Sequence, residues 1–236
     1  MNRVHDCDLL LDQNLFSNPE ERYMGLVPEK CRLLLGPQFA LLRPEFREAR
    51  KRLKRKNTGI NRIFVFFGGI DATNETAKAL SAIKLLDLTG IHIDIVVGEN
   101  NPNKDEIKLL CESMPNVVFH CQVENMADLM ANADLAIGAV GNVTWERCFM
   151  ELPAITITVA ENQVRVAEAA HTAGVIFNLG WHETMNDERL AEAVLQFIED
   201  VSLLERMRKC SMEIMGGTVT LKNGLAAQAI IGGGGT

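Results

Sequence analysis

Residues 62–75 have the sequence RIFVFFGGIDATNE, and this stretch decides the fold. Its apolar run, IFVFF, shows no alternation, which predicts a strand that is buried on both faces. The paired glycines Gly68 and Gly69 then allow a tight turn, and Asp71 or Asn74 is suited to cap a following helix. A strand, a glycine turn and a helix in this order are typical of a parallel α/β sheet.

The same pattern of strands and helices continues to about residue 215. Apolar runs of strand length alternate with helical segments, and these runs lie at 62–67, 91–97, 117–120, 133–137, 154–159 and 175–177. Alternation of this kind predicts a parallel sheet with helices on both faces. The predicted fold class is therefore α/β, with one Rossmann-like domain over residues 57–215.

Composition and charge limit the function classes. The chain has 236 residues, of which 47% are hydrophobic, and this content supports a sizeable core and excludes a disordered protein. The net charge of −7 argues against a nucleic-acid partner, because nucleic-acid-binding domains gather a basic surface. No apolar run has the length of a membrane span, and the first residues lack a signal-peptide pattern, so we expect a cytoplasmic protein without a membrane partner.

The cysteines give no sign of a metal site or of a disulfide framework. The six cysteines are widely spaced, and the sequence has neither a CxxC pair nor histidines at zinc-finger spacing. We therefore expect buried, reduced thiols, no bound metal and no cofactor.

The segments that flank the regular pattern differ from it. An apolar run at 8–11 predicts a short strand with no preceding strand to pair with, so we assign residues 1–14 to the remnant last strand of a missing N-terminal domain. Residues 15–56 contain several prolines and little periodicity, which predicts an interdomain connector. Residues 216–236 are rich in glycine and predict a flexible tail.

A basic stretch within the connector allows two interpretations. Residues 45–56 have the sequence EFREARKRLKRK, which could bind polyphosphate or nucleic acid. The stretch could instead be the solvated helix of a linker, and in a chain of net negative charge we favour this second interpretation.

Three turns lie where ligands bind in open α/β folds, just after strands. The first is the glycine turn at 68–74. The second, GAVGNVTWE at 138–146, places a small-residue loop before a helix whose free N–H groups suit a pyrophosphate. Glu146, expected in the first helical turn, could accept both ribose hydroxyls, whereas Trp145 is more typical of a core position than of a ligand stack. The third, AENQ at 160–163, offers polar side chains for a sugar, although helix capping explains them equally well.

Several longer motifs occur together between Val4 and Gly180. They are CDLLLDQN (7–14), LVPEKCRLLLGPQFALLRPEF (26–46), FFGGID (66–71) with Asn74, NVVFHCQVENMADLMANADLAIGA (116–139), TWERC (144–148) and AENQ (160–163). Together they resemble the UDP-sugar hydrolases of pseudaminic acid biosynthesis, which remove UDP from UDP-2,4-diacetamido-2,4,6-trideoxy-β-L-altropyranose. The resemblance implies the C-terminal half of a GT-B-type fold, in which two Rossmann-like domains face a cleft and the C-terminal domain holds the UDP.

The resemblance also implies ligand contacts. The phosphates and the sugar are assigned to Gly68, Gly69 and Asn74, and the uracil is assigned to the backbone of Val123. The pyrophosphate is assigned to Gly141, Asn142, Val143 and Thr144. The ribose is assigned to Glu146, and the sugar is also assigned to Asn162 and Gln163.

Two departures from the family affect the expected function. Relatives commonly have Gly-Ser-Thr-Thr before Trp-Glu, and Val143 here replaces a hydroxyl residue, so one phosphate hydrogen bond of ~1 kcal/mol would be lost. The family's Gly-x-Gly-His loop, whose histidine would activate the attacking water, does not occur in this sequence. No other histidine lies in a comparable loop, and His120 is interpreted as structural. No catalytic residue is therefore assigned to this chain.

Three functions remain open from the sequence. The chain could be the UDP-binding half of the hydrolase, a truncated or internally started copy without the catalytic histidine. It could be a UDP-sugar-binding subunit whose site is completed by a separate N-terminal partner, as in two-subunit glycosyltransferases. This second function predicts an exposed apolar face near residues 9–11 and 33–42. The third possibility is an inactive fragment.

Overall fold

The computed structural model describes residues 3–55, 59–86 and 88–217. The strands are β1 (Leu9–Asp12), β2 (Arg32–Leu35), β3 (Arg62–Phe66), β4 (His92–Val97), β5 (Val117–Cys121), β6 (Leu135–Ala139), β7 (Ala154–Thr158) and β8 (Phe177–Trp181). The α-helices are α1 (Pro44–Arg52), α2 (Glu75–Leu85), α3 (Lys104–Glu112), α4 (Met126–Asn132), α5 (Asn142–Phe149), α6 (Val164–Thr172), α7 (Asp187–Glu199) and α8 (Val201–Ile214). Short 3₁₀ helices lie at Glu21–Tyr23, Pro37–Phe39, Glu161–Gln163 and His182–Thr184.

Six of the strands form one parallel sheet, which confirms the predicted α/β Rossmann-like fold. The strand order is β5-β4-β3-β6-β7-β8, and every neighbouring pair is parallel. The chain runs from β3 outward to β5 and then returns to the other side of β3 to begin β6. The carboxyl ends of β3 and β6 therefore border the crevice at which the direction of winding reverses, where α/β sheets of this kind bind ligands.

The predicted strand at 175–177 is wrong in its position. Val175 and Ile176 precede the observed strand, and pairing with β7 begins only at Phe177, opposite Ile155. Val175 and Ile176 are nevertheless buried, at 1% and 3% exposure. The apolar run is explained by the packing of Val175 and Ile176 in the core just before β8, and not by strand pairing.

Helices cover both faces of the sheet. On β3, Ile63 and Val65 face one apolar cluster, which contains residues of α2, α3 and α7. Phe64 faces the opposite cluster, with residues of α1, α4, α5 and α6. All three side chains have no exposed surface. Burial on both faces explains why the first strand has no alternating polar residues.

The N-terminal strand has a partner that the sequence did not predict. β1 pairs in parallel with β2, with Leu9 opposite Arg32, and the two strands form a separate two-stranded sheet. The segment predicted as a connector thus contains a strand and also helix α1. The assignment of residues 1–14 and 15–56 to an N-terminal remnant and a connector remains a prediction.

The predicted exposed apolar face near residues 9–11 and 33–42 is largely absent. Leu10 and Leu34 are buried, and Leu42 packs against the core cluster that covers α1 and α5. Leu41 is 66% exposed and is the clear exception. Pairing of β1 with β2 buries Leu10 and Leu34 and leaves the other apolar residues of these strands partly exposed.

The basic stretch at 45–56 forms a packed helix rather than a fully solvated one. Phe46 and Ala49 on α1 are buried in the core. Arg50 contacts Glu151, and Arg55 donates hydrogen bonds to backbone carbonyls that include those of Met130 and Met150. Arg50 and Arg55 are thus committed to the protein's own groups, whereas four other cations of the stretch are exposed, namely Arg47, Lys51, Arg52 and Lys54.

Other predictions concern the cysteines, the tail and a membrane. All six cysteines are free thiols, and the sulfur atoms of Cys7 and Cys31 are 3.7 Å apart. The prediction that the thiols are buried is right for Cys111 and Cys148 and wrong for the other four, which are partly exposed because they lie at the edges of the packed core. Within the part of the chain that the structure describes, no helix has the length and apolar character needed to cross a membrane. The prediction of a flexible tail at 216–236 falls almost entirely outside the described residues.

Candidate functional site

Two clefts border the crevice between β3 and β6. The smaller, of about 230 Å³, brings together three of the predicted site residues, Gly69, Val123 and Glu146. The larger, of about 410 Å³, lies between α5 and the N-terminal segment and contains Asn142 and Glu146. Glu146 is therefore shared by both clefts. The remaining predicted residues line neither cleft, and they are Gly68, Asn74, Gly141, Val143, Thr144, Asn162 and Gln163.

The glycine turn after β3 depends on a third glycine. Gly68 has a φ of +101°, which favours glycine, and Gly69 is exposed at the cleft. Gly98, just after β4, donates from its N–H to the carbonyl oxygen of Gly69 at 3.1 Å. A Cβ atom on Gly98 would lie 2.4 Å from that oxygen, so only glycine fits. The sequence interpretation missed Gly98, although a glycine directly after the predicted strand at 91–97 was a signal for it.

The first turn of α2 is already neutralised by the protein's own carboxylates. Asp71 accepts hydrogen bonds from the N–H groups of Glu75 and Thr76 at 3.0 and 2.9 Å. Of the two predicted capping residues, Asp71 is thus the cap, and Asn74 adopts a left-handed φ of +57° without capping. Glu75 is fully buried and pairs with Lys78 at 2.9 Å. A second anion at this helix start would meet two carboxylates, which disfavours it.

The first turn of α5, unlike that of α2, has no carboxylate from the described residues at its N–H groups. The helix begins at Asn142, and its first turn contains no acidic residue. Among the described residues, the N–H groups of Asn142 and Val143 have no hydrogen-bond acceptor. Free N–H groups at a helix start, with the positive end of the helix dipole, form a site for an anion.

One detail of this turn corrects the sequence interpretation, and a second describes the role of Thr144. Glu146 lies in the second helical turn rather than the first, because α5 starts directly after Gly141. Thr144 has no exposed surface, so its side chain cannot contact a ligand in this structure. Its Oγ1 accepts hydrogen bonds from the Gly141 N–H and from Arg147 Nη2, both at 3.2 Å, and so it supports the turn from beneath.

Glu146 is the acidic group shared by the two clefts. Its side chain is 17% exposed, and Arg43 Nε lies 3.3 Å from its Oε1. Burial raises the pKa of Glu146 above the usual value, and the neighbouring Arg43 acts in the opposite direction. Arg43 also contacts Glu45 at 3.0 Å. No sequence signal identified Arg43, since it lies in the predicted connector, far along the chain from Glu146.

The N-terminal segment also touches the α5 turn directly. Gln13 donates from Nε2 to the Oδ1 atom of Asn142 at 2.9 Å, and its Oε1 accepts from the N–H of Leu41 at 3.0 Å. One side chain thus joins the end of β1, the turn before α1 and the start of α5. The orientation of Asn142 depends on residues that the sequence assigned to other segments.

The remaining positions that the sequence singled out are the turn after β7, Trp145 and His120. Gln163 accepts the N–H of Val159 at 3.0 Å and so closes its own turn, whereas Asn162 is exposed. Trp145 has no exposed surface, in agreement with a core position. His120 lies 2.8 Å from the buried Asp94, which fits a structural histidine.

The family model of the glycosyltransferase family 28 C-terminal domain matches residues 62–221, which include the whole six-stranded sheet. The chain belongs to this family. The matched family 28 domain contains the glycine turn, the α5 turn and Glu146, but it excludes Gln13 and Arg43.

Two curated proteins are similar to this family 28 domain in sequence. The spore coat polysaccharide biosynthesis protein SpsG of Bacillus subtilis is 27% identical over 192 residues, which cover 81% of this chain and 56% of SpsG. The UDP-2,4-diacetamido-2,4,6-trideoxy-beta-L-altropyranose hydrolase of Campylobacter jejuni is 27% identical over 165 residues, which cover 70% of this chain and 57% of the hydrolase. This chain thus spans little more than half the length of either relative.

A solved structure supports the fold assignment. MurG of Acinetobacter baumannii superposes with a TM-score of 0.60 and 17% identity, over 86% of this chain and 61% of MurG. At this identity the similarity concerns the fold alone. It agrees with a Rossmann-like domain of the kind found in GT-B glycosyltransferases.

Proposed function

We propose that this chain is the UDP-binding half of a UDP-sugar hydrolase that acts in pseudaminic acid biosynthesis. The observation that carries the proposal is the α5 turn, where two unpartnered N–H groups lie next to the half-buried carboxylate of Glu146. The hydrolase of Campylobacter jejuni, whose name specifies a UDP-sugar, supports the choice of nucleotide and reaction. Hydrolysis would then release UDP by attack of water at the anomeric carbon.

Each part of UDP has a proposed partner. The diphosphate would accept hydrogen bonds from the N–H groups of Asn142 and Val143, where no acidic side chain competes. The carboxylate of Glu146 would accept both ribose hydroxyls, which an amide or a cation would do less well. The backbone of Val123 would face the uracil across the smaller cleft, which also contains Gly69. Asn74, Asn162 and Gln163 would be left to the sugar.

This chain would bind the nucleotide but leave the hydrolysis step to another domain. A general base must lie within hydrogen-bond reach of the water that it activates. The proposed catalytic histidine belongs to a Gly-x-Gly-His loop that this sequence lacks. Since the chain spans 57% of the hydrolase relative, the proposal assigns that loop to a part of the enzyme outside the matched region.

The second candidate is a UDP-sugar-binding subunit of a glycosyltransferase-like pair. The family 28 match and the contact from Gln13 to Asn142 favour it, because a partner that docks on the N-terminal segment would directly affect the turn. In this case the acceptor would be a second sugar or lipid instead of water. The two candidates share the same nucleotide site and differ only in the group that receives the sugar.

Calorimetric titration with UDP, UMP and ADP tests the shared part of both candidates. We expect UDP to bind more tightly than UMP, because only UDP places a second phosphate at the α5 turn, and more tightly than ADP. We also expect no release of UDP from the UDP-sugar by this chain alone. A folded, monodisperse sample that fails to bind UDP would rule out both candidates and leave the inactive-fragment interpretation.

Val143 gives a gain-of-function test of the phosphate position. The change Val143→Thr restores a hydroxyl of nearly the same shape, so we expect UDP affinity to rise about fivefold, which corresponds to ~1 kcal/mol. Titration with UDP measures the gain, and uridine serves as the control ligand because it lacks phosphates. An equal gain for uridine would show that the hydroxyl does not act on the diphosphate.

A further inference from the structure

Arg147 is a buried cation without an anionic partner. The residue is 1% exposed, and its Nη2 donates to the carbonyl oxygen of Ala139 at 2.8 Å and to Thr144 Oγ1 at 3.2 Å. Its Nε has no hydrogen-bond partner. The nearby carboxylate of Glu146 attracts it electrostatically, but that carboxylate contacts Arg43, and no carboxylate of the described residues forms a salt bridge with Arg147. Burial lowers the pKa of Arg147 to about 10, so the side chain stays protonated at neutral pH. A buried charge without a counter-charge is costly, which calls for a compensating partner.

Arg147 is connected to the α5 turn through a shared hydrogen-bond acceptor. Thr144 Oγ1 accepts from Arg147 and also from the N–H of Gly141, the residue that precedes the helix. The guanidinium thus lies beneath the same turn whose next two N–H groups are free. Gly138 allows this approach, because a Cβ atom there would lie 3.0 Å from Arg147 Nη1.

A partly buried arginine, Arg55, shows the contrasting case. Its guanidinium donates to the carbonyl oxygens of Met130, Ala131 and Met150, which lie away from both clefts. Burial lowers the pKa of Arg55 to about 10 as well, while nearby Asp134 counteracts the effect. Arg55 therefore joins backbone segments, and it provides a control arginine that is partly buried and has no relation to the turn.

We propose that Arg147 is a positioning residue that holds the α5 turn and supplies, from beneath it, the positive charge for a bound diphosphate. This inference rests on the proposed function, because it requires the nucleotide diphosphate to lie on that turn. Charges interact strongly through a protein interior of low dielectric constant, so contact with the phosphate is not needed. The bound diphosphate adds an anion to the one carboxylate that interacts with Arg147 at a distance, that of Glu146, which is shared with Arg43.

The test compares UDP with uridine in the variant Arg147→Met and in the control Arg55→Met. We expect Arg147→Met to weaken UDP binding at least about tenfold and to change uridine binding less than about twofold. Arg55→Met is expected to change neither affinity beyond about twofold, although both variants should be less stable. Calorimetry measures UDP, and ligand-detected NMR measures the weaker uridine.

The outcomes separate this inference from the proposed function. If the unmodified chain fails to bind UDP, the proposed function and the inference both fail. If the unmodified chain binds UDP and Arg147→Met binds it equally well, or loses uridine in the same proportion, Arg147 is only structural and the inference is overturned. Should Arg147→Met fail to fold, Arg147→Lys keeps the charge and decides the matter. We expect the lysine variant to retain the preference for UDP over uridine within about threefold, and loss of that preference would overturn the inference.

Discussion

Replacing Trp145 with alanine is expected to lower the free energy of unfolding by about 4 kcal/mol. Trp145 has no exposed surface and lies in the apolar cluster between the sheet and helices α1 and α4 to α6. Alanine would leave a cavity under the start of α5, because the surrounding helices and strands can close only part of the gap. Chemical denaturation followed by circular dichroism measures the loss.

Two variants control this prediction. Trp145→Phe keeps most of the volume and is expected to cost only about 1–2 kcal/mol. Trp181 is partly exposed, and Trp181→Ala is expected to cost within about 1 kcal/mol. Trp145→Phe should bind UDP as the unmodified chain does. A loss of UDP affinity in a stable Trp145→Phe protein would instead support the stacking role that the buried position argues against.

Replacing Glu146 with alanine is expected to weaken UDP binding about 30-fold, or by ~2 kcal/mol. The carboxylate is proposed to accept both ribose hydroxyls, and hydrogen bonds to charged groups contribute in this range. Glu45→Ala is the matched control, because Glu45 also contacts Arg43 but lines neither cleft. We expect the control to bind UDP within about twofold of the unmodified chain.

A ligand lacking one hydroxyl sharpens the test of Glu146. The unmodified chain should bind 2′-deoxy-UDP more weakly than UDP, and Glu146→Ala should bind the two ligands almost equally. The coupling between the side chain and the hydroxyl is then about 1 kcal/mol or more. Independent losses from the mutation and from the deoxy ligand would show that Glu146 acts elsewhere than on the ribose.

The pH dependence of binding follows from the raised pKa of Glu146. Burial favours the protonated form, so the carboxylate acquires its proton at a higher pH than an ordinary glutamate does. A protonated carboxyl group has lost one acceptor site, and UDP affinity should fall as the pH is lowered through this range. The difference in affinity between the unmodified chain and Glu146→Ala should therefore narrow in acid. A constant difference at every pH would argue against an ionised Glu146 as the ribose acceptor.

The sequence predicted where the turns of the site lie, but it did not predict how the residues of these turns pack. The glycine turn and the loop before α5 were identified because both follow apolar runs that form strands. The placement of Glu146 in the first helical turn was wrong, since the start of α5 depends on the hydrogen bond from Gly141 to Thr144. The assignment of Thr144 to the pyrophosphate stays a prediction, and the burial of its side chain follows from the packing of α5 on the sheet.

Other features of the site had no local signal. Arg43 reaches Glu146, and Gln13 reaches Asn142, across more than a hundred residues of chain. Arg147 resembles any charged residue of an amphipathic helix until its surroundings are known. Its importance lies in its burial without a salt bridge among the described residues, which is a property of packing and not of spacing.

The sequence by itself determined that the protein is a parallel α/β sheet with ligand-suited turns after its strands. Burial on both faces leaves a composition that is visible within each strand, and glycine marks turns through its own conformational freedom. Only the tertiary structure decided that β3 lies beside β6, that Glu146 lies between two clefts, and that a buried arginine lies beneath the α5 turn. These properties depend on residues that are distant in the chain and meet only when the helices pack on the sheet.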